Sequence, residues 1–418
     1  MRKDILIYFS GKAIPAVVNL AIIILAVRLI GKEEYGKYSL VFYATMLLST
    51  LTIGWIQQGI LRFLSAYPGE ETLISQRFFS LTLVSSFIAI LTGSVVCIFY
   101  FHLRALETGI VTLYLFFYNF LLFHLTLNQT RKKPLQYALL EGGYSLFFLF
   151  LFLLLALVFN RSRFIVLFVA MLAALIINEI LRTTLYSTNK GGTHFLRFQQ
   201  DRVFTRKVFQ FGFPVTIWLF LSYLLNISDR FIIKEFISYE STGTYAAIKD
   251  LIIKISTFTT LPVLLAYHPR IVEQWNRDQR KEALQLIREG LRYCLAITFI
   301  IMVIFLLFND IIYTHILHLA VKNPWQVSVT LLLSAFLWQA ALLVHKPLEL
   351  LLKPGFMLVA IFVALAVNGV GNLLLVPRFG YPAAALVSLV SVITYLIVIF
   401  AFLFHFRRKG EFISTPSA

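Results

Sequence analysis

Acid is scarce in this chain of 418 residues: 20 aspartates and glutamates face 37 lysines and arginines, and charged residues make up only 14%. That is too little polar side chain to cover a soluble protein of this length. Cysteine is nearly absent as well. Cys97 and Cys294 both fall within long apolar runs and show no CxxC spacing, which excludes a disulfide framework or a thiolate metal site. The eight histidines show no metal-ligand spacing; His315 and His318 are close but fall in a connection, as a solvated pair. HExxH, a strand-linked GxGxxG, a P-loop and GxSxG are all missing. ATP-driven pumping by this chain alone is therefore excluded, and neither a cofactor nor an enzymatic activity is expected. A membrane glycan ligase or polymerase would need an extended outer loop. The longest outer connection, Asn309–Pro324, is mostly apolar.

What remains is apolar: 59% of the chain is hydrophobic. Runs long enough to cross roughly 30 Å of hydrocarbon recur from end to end. They cover Ile5–Ile30, Tyr38–Ile60, Phe78–Phe101, Gly109–Leu127, Leu135–Phe159, Phe164–Tyr186, Val208–Ile233, Thr244–Tyr267, Leu291–Ile312, Trp325–His345, Gly355–Val376 and Tyr381–Phe404. Backbone polar groups must pair internally in lipid, so the expected fold is all-α, polytopic, with twelve transmembrane helices. The first run is too long for a cleavable signal peptide and lacks a small-residue cleavage pattern. The predicted organisation is a six-helix bundle over 1–187, a basic linker over 188–207, a second six-helix bundle over 208–406 and a tail over 407–418.

The net charge of +17 raises the question of nucleic acid, and the placement of the charge answers it. With the N-terminus inside, alternate connections collect most Lys and Arg: Arg131–Lys133, Arg182–Lys207, Arg270–Arg292 and Arg407–Lys409. This positive-inside bias puts both termini in the cytoplasm, with anionic lipid rather than nucleic acid as the partner of the basic charge. Thr188–Lys207 and Pro269–Gly290 are the large cytoplasmic connections. Val272, Trp275, Leu284 and Ile287 among basic residues predict an interfacial amphipathic helix in the second, and Phe195 and Phe198 suit the first to the same interface.

The two halves echo each other. Lys133-Pro134-Leu135 returns as Lys346-Pro347-Leu348, and Arg28, Gly36 and Tyr38 return as Arg230, Gly243 and Tyr245. Several echoes at nearly one offset predict a duplicated bundle, a common physical solution to alternating access.

A charge at membrane depth costs at least about 2.5–3.5 kcal/mol, so each one needs an account. Arg28 lies near the outer end of the first segment, where snorkelling competes with a substrate role, and Lys12 is expected to snorkel. Arg62 is either an inner anchor or a receiver of anions. Asp229 and Arg230 lie on the seventh segment, where an internal ion pair competes with a transport role. Lys249, Asp250 and Lys254 lie on the eighth. Asp250 and Lys254 share a helix face and can partly neutralise each other, whereas Lys249 points elsewhere. Cations on segments one, seven and eight predict a cavity that attracts an anion. Glu141, with no cation within one helical turn in sequence and followed by Gly142 and Gly143, is the candidate ion-sensing carboxylate.

"AVRLIGKEEYGKYSL", followed by "GWIQQGILRF", resembles the opening of the polysaccharide-biosynthesis flippases within the multidrug/oligosaccharidyl-lipid/polysaccharide exporter superfamily. "FGFPVTIWLFLSYLLNISDRFIIKEF" and "STGTYAAI" resemble the start of that family's second half, with Gly-x-Pro, Ser-Asp-Arg and Gly-x-Tyr elements. The resemblance implies two six-helix bundles in a V around a central cavity, in the bacterial inner membrane. It implies export of an undecaprenyl-diphosphate-linked oligosaccharide, with Arg28, Arg62 and Lys254 as the cavity cations. A proton or sodium ion and polysaccharide polymerase machinery are the further partners it suggests. The alternative is an ion-coupled multidrug exporter of the same fold, which would be expected to hold an acidic cavity for cationic drugs. The chain has no helical pair beyond twelve, unlike the longer peptidoglycan-precursor flippases.

Overall fold

The computed structural model describes residues 2–67, 69–158, 163–186, 198–199 and 201–409; most of the expected linker and the tail Glu411–Ala418 lie outside them. Among the described residues there is no strand. The helices are α1 (Arg2–Ile30), α2 (Lys32–Phe63), α3 (Glu71–Val95), α4 (Ala105–Thr130), α5 (Pro134–Val158), α6 (Ile165–Tyr186), α7 (Arg202–Phe236), α8 (Tyr239–Asn276), α9 (Arg280–Leu307), α10 (Pro324–Val344), α11 (Lys346–Leu350), α12 (Pro354–Phe379) and α13 (Tyr381–Arg408). Among the described residues twelve spans, with α10 and α11 forming one of them, are long and apolar enough to cross a bilayer. The side chains they turn outward are as apolar as those they bury: Phe99 is 73% exposed and Leu157 77%. Only lipid suits such a coat, and the chain is a multi-pass membrane protein.

Two compact units result, Met1–Phe220 and Leu221–Ala418. The division falls inside α7 rather than in the expected 188–207 linker, because Arg202–Lys207 already form the first turns of α7. Phe204 and Val208 are buried among Ile53, Ile56, Phe78 and Phe123, which ties the start of α7 to the first unit. Asp201 caps that start. It accepts the Phe204 N–H at 3.0 Å and faces Arg77 at 3.1 Å. The Phe204 hydrogen bond, then the Arg77 charge, hold its carboxyl below the usual carboxylate range. Similarly, α13 continues to Arg408, through the start of the expected tail.

Each half packs in the same order. In the first, α2 packs on α3 and α4, α3 on α4, and α6 on α4 and α5. In the second, α8 packs on α9 and α10, α9 on α10, and α13 on α10 and α12. The backbone repeats as well. α3 and α9 are each followed by a π-helical turn, Val96–Tyr100 and Ile311–Ile316, and then by a left-handed histidine, His102 at φ 52° and His318 at φ 54°. Lys132 at φ 54° and Leu352 at φ 56° close two equivalent turns; Lys133 N–H donates to Asn128 O and Lys353 N–H to Leu348 O, both at 2.9 Å.

This register corrects one of the sequence echoes. Lys346-Pro347-Leu348 lies in α11, before its turn, so the counterpart of Lys133-Pro134 is Lys353-Pro354, where each proline opens the next long helix. Proline is tolerated in the first turn of any helix, so the tripeptide alone does not say which junction it marks. Pro269–Gly290 also differs from expectation. α8 runs on to Asn276, Asp278 at φ 60° makes the turn, and α9 begins at Arg280. Ile271 and Ile287 are buried there, with Trp275 and Leu284 packed on the same cluster, so the apolar stripe is used in packing the two helices together.

Candidate functional site

The deepest charges of the second unit come from two adjacent pairs, Asp229-Arg230 on α7 and Lys249-Asp250 on α8. All four side chains are buried, Arg230 at 1% and Asp229 at 0% exposure. The pairs engage crosswise. Arg230 grips Asp250 with both terminal nitrogens, at 2.6 and 3.2 Å, and Lys249 Nζ donates to Asp229 Oδ2 at 2.5 Å. Neighbouring residues on a helix point about 100° apart, so an adjacent acid–base pair can present both signs to a matching pair on the next helix. Two further donors reach Asp229 Oδ2: the Tyr245 hydroxyl at 2.6 Å and the Ser388 hydroxyl, from α13, at 2.9 Å. Beside this cluster Ser228 donates to Asn368 at 2.9 Å, and Asn368 donates to Ser391 at 3.2 Å.

Two cations and two carboxylates cancel, and each charged oxygen of Asp229 and Asp250 has a donor. This is the arrangement that offsets the desolvation of buried charge. It revises the expectation for Arg230 and Lys249. Their charges are enclosed within the second unit and engaged by carboxylates, whereas a substrate-facing cation needs an open surface. Asp229 and Asp250 are in ion pairs, each with a partner on the other helix.

The other expected site cations lie outside this cluster. Lys254 is exposed on α8, and Arg28 and Arg62 are exposed in the last turns of α1 and α2. Arg28 precedes the start of α2 and Arg62 is near its end, so roughly 45 Å of helix lies between them. A single phosphate cannot touch both at once. Glu141 is half-buried on α5, in the first unit. The lining of a small cavity in the same unit includes His124, Leu140, Asn178 and Glu179. Glu179 accepts both nitrogens of Arg182, at 2.5 and 2.8 Å, and is therefore paired. Among the described residues, no group of three metal-ligating side chains occurs.

Sequence reasoning missed Tyr245 and Ser388 as members of the cluster. Tyr245 carried a signal, the Gly-x-Tyr element of α8. Ser388 carried none, because only the packing of α13 brings it to Asp229.

A sequence model of the family described as "Polysaccharide biosynthesis protein" matches residues 1–275. The chain belongs to the polysaccharide biosynthesis protein family. Solved structures share its fold across nearly the whole length. A lipid II flippase, MurJ, in an inward closed conformation superposes with a TM-score of 0.75 at 11% identity, covering 95% of this chain and 87% of that one. The MATE multidrug transporter DinF-BH gives 0.70 at 16% identity, covering 99% and 96%. A transporter from Pyrococcus furiosus, described as having a binding pocket of reversed polarity, gives 0.69 at 13% identity, covering 98% and 95%. At such identities the likeness is one of fold: two lobes of membrane-spanning helices. No curated protein sequence matches the chain. The fold is one that this chain shares with a lipid II flippase and with multidrug transporters.

Proposed function

We propose that this polysaccharide biosynthesis protein is a flippase that carries an undecaprenyl-diphosphate-linked oligosaccharide from the inner to the outer leaflet of the bacterial inner membrane by alternating access. In this reading both termini are cytoplasmic and no chemical step is catalysed. The observation that carries the proposal is Lys254, an exposed cation fifteen residues into the membrane-spanning helix α8. A charge facing hydrocarbon would cost at least about 2.5–3.5 kcal/mol, so an exposed lysine on this helix supports a hydrated surface there. A lipid diphosphate brings roughly two negative charges, and its glycan requires a hydrated path while the polyprenyl tail stays in lipid. Arg62 and Arg28, at opposite ends of the first unit, serve this substrate in succession, on loading and on release. Scattered single cations bind loosely enough to let go.

The test is transport by the purified protein in liposomes, following a labelled undecaprenyl-diphosphate oligosaccharide to the opposite leaflet. Lys254→Ala should lose transport while remaining folded, and Lys254→Arg should keep part of it, since charge outranks head-group shape here. A cationic dye assayed in the same liposomes separates the two exporter classes. Movement of the dye without the lipid, or undiminished lipid transport by Lys254→Ala, overturns the proposal.

A further inference from the structure

At the end of the first unit where α4 gives way to α5, a cavity of about 350 Å³ is lined by Leu64, Ser65, Glu71, Thr130, Arg131, Lys132 and Lys133. Three cations face one carboxylate. The volume lies at the lower end of the range for small-molecule sites. Arg131 is half-buried and held from beneath, its Nη2 donating to Ser75 Oγ at 2.8 Å, while Lys132 and Lys133 are exposed at the rim. Residues 131–133 lie between two membrane-spanning helices, which places the cavity at the level of lipid headgroups.

The backbone turn by itself does not require Arg131 and Lys132. The equivalent turn of the second unit has the same left-handed residue and the same closing hydrogen bond, yet carries Leu351 and Leu352 where the first carries Arg131 and Lys132. Burial lowers the Arg131 pKa and the Glu71 carboxylate opposes it, so anionic charge beside the guanidinium favours its charged form.

We propose that this cavity is a binding site for a phosphate group, supplied by the headgroup of an anionic membrane lipid, with Arg131 as the fixed contact and Lys132 and Lys133 closing over it. Basic pockets at the ends of membrane helices recognise such headgroups. The site is distinct from the transport proposal, since its lining includes none of Arg28, Arg62 and Lys254.

The experiment is thermal unfolding of the full detergent-solubilised chain, read by tryptophan fluorescence, during titration with short-chain phosphatidylglycerol. Phosphatidylcholine of the same chain length and inorganic phosphate are titrated in parallel. Phosphatidylglycerol should raise the unfolding temperature saturably and phosphatidylcholine should not. Arg131→Leu with Lys132→Leu rebuilds the second unit's own turn and should raise the half-saturating concentration by roughly twenty-five-fold, about fivefold per cation. If inorganic phosphate matches phosphatidylglycerol on the wild type and fails on the variant, the site is upheld with a free anion as its occupant. Should the double variant not accumulate, Lys132→Gln with Lys133→Gln, both at exposed positions, should weaken phosphatidylglycerol in the same direction. Superimposable titrations of the wild type and whichever variant is measured overturn the proposal.

Discussion

Arg230 on α7 grips Asp250 on α8 at 2.6 and 3.2 Å, while their sequence neighbours Asp229 and Lys249 pair in the opposite sense. Each helix carries one acid beside one base, and the order is reversed between them. The polarity of the cluster is therefore set by register between the two helices.

This crossing predicts the outcome of charge swaps. Asp229→Arg with Arg230→Asp places like charge opposite like, and should destabilise the second unit by about 3–5 kcal/mol or more, as breaking a buried pair does. Adding Lys249→Asp and Asp250→Lys restores opposite charges across the interface and should recover a large part of that loss. Thermal unfolding of the double and quadruple variants measures it. A quadruple variant no more stable than the double would show that hydrogen-bond geometry, from Tyr245 and Ser388 above all, outweighs charge.

Gly212 gives a packing prediction. A Cβ at this position in α7 would run into the backbone carbonyl of Trp55 on α2, and backbone cannot yield as a flexible side chain does. Gly212→Ala should therefore cost about 1–3 kcal/mol by forcing the helices apart. Gly142→Ala, where the same atom would meet open space, is the control and should be near neutral. Equal unfolding temperatures for the two variants would remove the close approach as the reason for glycine in the Gly-x-Pro element.

Topology is tested by single cysteines at Gln199, between α6 and α7, and Lys322, between α9 and α10. The count of basic residues puts the first inside and the second outside. An impermeant maleimide applied to intact cells should label the Lys322→Cys variant and spare the Gln199→Cys variant until the cells are opened. Labelling of both from outside would contradict the arrangement of twelve crossings.

Glu141 is the proposed ion-sensing carboxylate. Replacing it by glutamine should flatten the response of liposome transport to an imposed proton or sodium gradient, with substrate binding retained. Glu179→Gln removes a carboxylate already held by Arg182, and should leave that response in place. A gradient response unchanged in Glu141→Gln assigns coupling elsewhere.

The class of fold and its duplication were written in the sequence, because lipid imposes a length and a composition on every crossing that no tertiary contact can waive. Family membership was legible for a related reason: Gly212, Asp229, Arg230 and Tyr245 sit where helices meet closely or bury charge, and such places tolerate few residue types. Partnership was not legible. Sequence spacing offered Lys254 to Asp250 along one helix, but gave no means of finding Arg230 across to the next, or Ser388 on the last helix. The second echo of Lys-Pro-Leu misled because proline marks any helix start, whereas left-handed Lys132 and Leu352 mark the same turn without sharing a side chain. Sequence by itself determined which residues must leave water; tertiary structure decided which charges those residues meet there, since a buried charge is set by its nearest partner in space and only packing brings the partners together.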